Sequence, residues 1–335
     1  IELLHRIAEL YEVGGDDGAS AFGTYDRALR EDPGSPDTQQ KLERLARELE
    51  RFPDLVKLYD DVQKPLLDND LRVALLTKVA QLQELQLQDD EAAVGSYRRV
   101  LEVDPRNLPA ANAIEQVHSR NADYGRLVEA LLLKSDIVEG IDEKKSLAFK
   151  AAQTFEDVLE SPDRAIGVYR HILEWDDADA TAMEALERLY IRLERWQDLK
   201  DIYAKKAELA KDPQDKKQML YVLGQVYDRE LGDVSKAIET YQGILDIDPE
   251  DVTAVQALDR LYQAAGRWFD LLSILDREVE LAGGSAEIVA LKFRIGQLWE
   301  RELKELSRSI EAYREALGMD PGHEPTLAAL DGLVH

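Results

Sequence analysis

Tyrosine recurs at positions 25, 97, 169, 241 and 313, an unbroken step of 72 residues. No other feature constrains the fold as tightly. A fixed period of this kind means one supersecondary unit copied along a quasi-one-dimensional stack. Phe52, Tyr124, Trp196 and Trp268 keep the same step, as do the small residues Ala8, Ala80, Ala152, Gly224 and Gly296. The chain therefore divides into four full repeats (1–72, 73–144, 145–216 and 217–288) and a partial fifth (289–335), read as one array.

Each repeat spells four helices. Leu4, Ile7, Ala8 and Tyr11 have the i, i+3, i+4, i+7 spacing of one helical face. Ala21, Tyr25, Ala28 and Leu29 form a second face that closes at Asp32-Pro33, where proline stops a helix. In the fourth repeat, Ala254, Ala257, Leu258 and Leu261 mark a third helix, and Leu271 and Leu275 a fourth. Nothing alternates as a strand does. Helices of about 12–15 residues with short turns predict antiparallel hairpins. The repeat is itself two similar halves: Gly224 and Leu258 are 34 residues apart, as are Ala237 and Leu271. The remaining four residues are placed in the loop after the fourth helix, at 67–70, 139–142, 211–214 and 283–286.

The run Leu220, Leu223-Gly224, Tyr227, Ala237, Tyr241, Ile244-Leu245 and Pro249 resembles the tetratricopeptide repeat. Small residue, aromatics, second-helix alanine and closing proline fall in the family's order. One extra residue stands in the loop between Gly224 and Ala237, and the second half-repeats match less well, with Leu258 at the small position and no closing proline. The resemblance covers essentially the whole chain. It implies an all-α, right-handed helical solenoid of about 19 helices, with first helices lining a concave groove. It implies no enzymatic activity.

Composition narrows function. Of 335 residues, 42 are Lys or Arg and 68 Asp or Glu, a net charge of −26. That balance opposes sequence-independent nucleic-acid binding and favours basic partners. With no cysteine there is no disulfide framework or thiol nucleophile. No apolar run reaches the ~20 residues of a membrane span. The five histidines, at 5, 118, 171, 323 and 335, fall at unrelated places in their repeats, and no phosphate-loop or metalloprotease motif is present. The expectation is a non-enzymatic protein with no cofactor and no metal. The sequence opens at Ile1 inside an apolar-periodic stretch, without a signal peptide. From this we expect a cytoplasmic protein and a segment of a longer array whose apolar ends can associate end to end; plentiful Arg and Ala with no Cys point to a bacterial origin.

Candidate binding residues come from columns beside the buried stripe of the first helices. The first column is His5, Thr77, Phe149, Tyr221 and Phe293; the second Glu9, Gln81, Gln153, Gln225 and Gln297; the third Glu12, Glu84, Glu156, Asp228 and Glu300. Third helices add Glu43, Glu115, Glu187, Asp259 and Asp331, followed three residues on by Ala46, His118, Tyr190, Tyr262 and Val334. The binding set is Phe149, Tyr221, Phe293, Tyr190, Tyr262, Gln153, Gln225, Gln297, Glu156, Asp228 and Glu300: aromatics for contact area, carboxylates to select Lys or Arg. The competing reading is structural, since Arg6, Lys78, Lys150, Arg294, Arg44, Arg188 and Arg260 are spaced to pair with these acids across repeats. The tyrosines at 25 to 313 and the aromatics at 52 to 268 read as packing residues.

The function expected is a protein-interaction scaffold holding a basic partner segment in an acidic, aromatic-bearing groove. The alternatives are an architectural spacer and an RNA-processing helical-repeat module. One oddity is left over: Gly23, Gly95 and Gly167 lie inside second helices, where glycine costs about 1 kcal/mol relative to alanine. The fourth and fifth repeats have Glu239 and Glu311 there, so the position is expected to be exposed.

Overall fold

The structure is a computed structural model and describes residues 1–15 and 17–334, Val334 by its backbone alone; His335 lies outside the described residues. The first repeat forms α1 (Glu2–Gly15), α2 (Gly18–Glu31), α3 (Pro36–Glu48) and α4 (Phe52–Gln63). The second forms α5 (Asn69–Leu85), α6 (Asp90–Val103), α7 (Leu108–Arg120) and α8 (Tyr124–Ile137). The third forms α9 (Ile141–Asp157), α10 (Pro162–Trp175), α11 (Ala180–Arg192) and α12 (Trp196–Leu209). The fourth forms α13 (Pro213–Gln225), continued by a π-helical turn over Val226–Glu230, then α14 (Val234–Ile247), α15 (Val252–Ala265) and α16 (Trp268–Leu281). The fifth forms α17 (Ser285–Arg301), α18 (Leu306–Met319) and α19 (Glu324–Val334). Among the described residues these are the 19 helices expected, with no strand.

Local chemistry repeats with the period. Asp17, Asp89 and Asp233 cap second helices by accepting from the N–H groups of Ser20, Ala92 and Lys236. Ser35, Asn107 and Asp251 do the same for third helices, each cap stabilising by about 1 kcal/mol. Second helices stop at Asp32, Asp104, Asp176, Asp248 and Asp320. In each, Oδ1 accepts a hydrogen bond from the N–H two residues on. This side-chain turn explains how the third repeat closes with Asp177 where the others have proline.

The first helices depart from expectation. α5, α9 and α17 run to 17 residues, because two of the four residues assigned to the preceding loop form their first turn. The residue that breaks the family spacing is not in the loop either. It is absorbed in a widened last turn, where the N–H of Leu87, Leu159, Leu231 and Leu303 bonds the carbonyl five residues back. The next residue is left-handed: Gln88, Glu160, Gly232 and Lys304, with φ of 54°, 47°, 64° and 58°. Third helices end likewise at Glu50, Ala122, Glu194 and Gly266.

Neighbouring helices are antiparallel. Lys292 of α17 pairs with Glu315 of α18 at 2.8 Å, and four residues on Gly296 faces Tyr313, two residues back. The chain packs as two compact units, Ile1–Asp179 and Ala180–His335. In the first, one core joins Tyr25, Leu42 and Tyr59 to Leu75 and Val79 of the next repeat, and another gathers Leu76, Tyr97, Ile114 and Ala130. In the second, Tyr241, Leu258 and Leu275 share a core with Leu291, Ile295 and Ala312. Stacking of successive repeats thus supplies the buried surface that one hairpin lacks. The five tyrosines of the period are all buried against it. Of the fourth-helix aromatics, Phe52 and Trp268 pack on the cores, whereas Tyr124 is 42% exposed. No helix of the described residues is long and apolar enough to cross a membrane.

Candidate partner-binding face

The first-helix columns divide by what their side chains already touch. Members of the first column pack on the tyrosine 20 residues later. The ring centroids are 5.3 Å apart for His5 and Tyr25, 6.0 Å for Phe149 and Tyr169, 6.4 Å for Tyr221 and Tyr241, and 5.6 Å for Phe293 and Tyr313. Phe293 also lies 5.6 Å from His323, and the Tyr221 hydroxyl donates to Asp251. Phe149, Tyr221 and Phe293 are therefore half-buried parts of the hairpin seam, each keeping some accessible ring.

The third column is bonded within the protein. Glu12 pairs with Arg44, and Glu84 with Arg120 at 3.3 Å. Asp228 pairs with Arg260, while Glu300 accepts a 2.6 Å hydrogen bond from the Tyr313 hydroxyl. Glu156 is half-buried and also has an interaction partner. The third-helix acids tie one repeat to the next: Glu43 to Lys78, Glu115 to Lys150 at 2.9 Å, Asp259 to Arg294 at 2.9 Å. Glu115 also takes Lys134 at 2.8 Å. Burial works to raise its carboxyl, but the hydrogen bonds from Lys134 and Lys150 outweigh that and hold it below the usual carboxylate range. The structural reading of these acids is the one their geometry carries.

Tyr190 and Tyr262 require correction as surface contacts. They are 1% and 3% exposed, in the cores of the second compact unit. Arg195 and Arg267 lie over their rings, 5.4 Å and 5.0 Å from the centroids, and close them off. The sequence places both on a third-helix face beside an acid, but does not fix how far the helix is rotated toward its neighbour.

The glutamine column differs from the others. Gln81, Gln153 and Gln225 are exposed, and their carboxamides make no hydrogen bond among the described residues. Gln297 is half-buried and lines a small surface cavity with Trp268 and Arg294. In the first repeat the position is Glu9, paired with Lys41 at 2.8 Å. Among the described residues no cluster of His, Cys, Asp or Glu could hold a metal ion.

A family model described as tetratricopeptide repeat matches residues 182–217, and a second, described in the same words, matches 217–251. The chain carries tetratricopeptide repeats. The first match covers α11 and α12, a second half-repeat, so halves with a large residue at the small position belong to the family as well. Tetratricopeptide repeats mediate protein–protein interaction and typically act as non-enzymatic scaffolds. No curated protein matches the chain. Solved structures that it resembles include YrrB, described as a TPR protein with an unusual peptide-binding site. That likeness has 21% identity, 57% of this chain and 95% of that one, and a TM-score of 0.32. PilF of Pseudomonas aeruginosa is 14% identical over 79% of this chain and 99% of that one, with a TM-score of 0.29. A tetratricopeptide repeat protein of Parabacteroides merdae is 14% identical over 100% and 98%, with a TM-score of 0.24.

Proposed function

We propose that this protein is a scaffold whose first-helix face holds a segment of a basic partner protein, with the whole chain serving as one array. The observation that carries the reading is the exposed glutamine column. Packing does not demand Gln81, Gln153 and Gln225, yet each stands at the same position of its repeat with both donor and acceptor unused. Beside them Phe149, Tyr221 and Phe293 offer partly accessible rings. The acids Glu156, Asp228 and Glu300 act through the field of a chain with net charge −26, which draws basic partners and speeds encounter.

The test is affinity capture from nuclease-treated source lysate at moderate salt, with a Gln153→Ala, Gln225→Ala double variant as the control bait. A basic protein held by the wild-type chain and lost with the variant supports the reading. Capture that ignores the substitutions moves binding off this face, and capture restricted to acidic proteins overturns the reading.

A further inference from the structure

The position filled by Tyr190 and Tyr262 in the third and fourth repeats is His118 in the second. The Tyr262 hydroxyl completes its site by accepting a 2.7 Å hydrogen bond from Gln242. Two repeats before Gln242, at the same position, stands Arg98. His118 is only 3% exposed, and its Nε2 has no hydrogen-bond partner. It lines a cavity of about 400 Å³ together with Val94, Gly95, Arg98 and Val117. Arg98 makes no ion pair or hydrogen bond among the described residues, in a protein where most cations are paired.

The wall also holds Asp90, Glu91, Asp123 and Arg126, whose guanidinium lies 4.0 Å from Glu91. Asp90 takes Arg120 at 2.5 Å and Asn121 at 2.8 Å. Asp123 caps α8 and lies 3.6 Å from the Arg126 guanidinium. Gly95 keeps the cavity open, since no atom lies within 4 Å of a Cβ built there. The fourth and fifth repeats carry a carboxylate at that position, in Glu239 and Glu311.

We propose that this cavity binds a monocarboxylate with a short apolar tail, its carboxylate taken by the Arg98 guanidinium and the His118 Nε2–H, its tail against Val94 and Val117. A single negative charge suits Arg98 and His118 in a wall that also holds Arg126 and three carboxylates, whereas a dianion such as phosphate meets more repulsion from those carboxylates. A free organic acid and the C-terminal carboxylate of a peptide share this chemistry. Burial holds His118 below the usual imidazole range. Arg126 and Arg98 push it the same way, and Asp123 and Glu129 oppose them. An anion against Nε2 favours the protonated ring, so affinity rises as pH falls.

The test is an NMR titration of the His118 imidazole in the full chain with sodium propionate, N-acetylleucine, inorganic phosphate and sodium chloride. The expected result is a saturable shift with propionate or N-acetylleucine and none with chloride. Tighter binding of N-acetylleucine assigns a peptide C-terminus, and tighter binding of propionate a free acid. Arg98→Gln and Gly95→Glu, both at exposed positions, abolish the shift and keep the fold by circular dichroism. His118→Tyr, which refills the cavity as Tyr262 does, raises the melting temperature. A linear response, an equal response to chloride, preference for phosphate, or a shift that survives Arg98→Gln overturns the proposal.

Discussion

Gly224 of α13 faces Tyr241 of α14 so closely that a Cβ on the glycine would stand 2.9 Å from the tyrosine Cζ. Gly296 stands closer still to Tyr313. In the first three repeats the same position is a fully buried alanine. The ring of the periodic tyrosine therefore sets the residue opposite it, and it sits closer in the last two repeats. Gly224→Ala and Gly296→Ala are expected to destabilise by about 1–3 kcal/mol through overpacking. Gly23→Ala and Gly167→Ala, with open space around the added carbon, should instead gain about 0.5–1 kcal/mol. Urea unfolding of the four variants checks the opposite signs.

The left-handed turns after the third helices are held by Glu50, Ala122 and Glu194 in three repeats and by glycine only at 266. A side chain in this region costs about 1–2 kcal/mol, part of which glycine recovers. Ala122→Gly and Glu194→Gly should each raise stability by roughly 0.5–1 kcal/mol. Thermal melts that fall on substitution would show that the turn geometry is not set by the backbone.

Glu278 is a charge reversal in the period. Lys134 and Lys206 hold the same position in the second and third repeats and bond Glu115 and Glu187. Glu278 instead faces Asp259, with Arg294 4.0 Å away and nearer to Asp259. Burial, then repulsion from Asp259, pushes its carboxyl up to about 7, with Arg294 opposing and Glu287 adding slightly. The folded state thus holds a proton that the unfolded chain releases near its ordinary value of 4.5. Stability is fully present below that value and is lost as pH rises toward 7. After discounting for solvent screening the loss is on the order of 1–2 kcal/mol. Glu278→Gln should flatten the dependence between pH 4.5 and 7. An unchanged urea midpoint profile in the variant would remove Glu278 as its source.

Tyr190→Ala and Tyr262→Ala are expected to cost about 3–5 kcal/mol, as truncation of a buried aromatic does. Gln153→Ala and Gln225→Ala should stay within about 0.5 kcal/mol, because nothing in the fold depends on their side chains. Chemical denaturation of these variants separates core from surface among residues that the sequence groups together.

The period, the repeat boundaries and the helix count are legible in the sequence, because a copied unit repeats its apolar spacing, its capping carboxylates and its closing Asp without insertion. Tertiary structure alone decided which periodic column is packing and which is free surface. Helical spacing says which residues share a face, but not how far that face turns toward the neighbouring helix. That rotation buries Tyr190 and Tyr262, seats Phe149 and Phe293 on tyrosines 20 residues away, and leaves Gln153 and Gln225 in solvent. The widened last turn of the first helices was also invisible. One extra residue between two fixed columns reads as loop until backbone hydrogen bonds show that the helix itself takes it in. At His118 the second repeat replaces the phenol of the third and fourth, and only tertiary packing decides that its Nε2 goes without a partner beside a cavity.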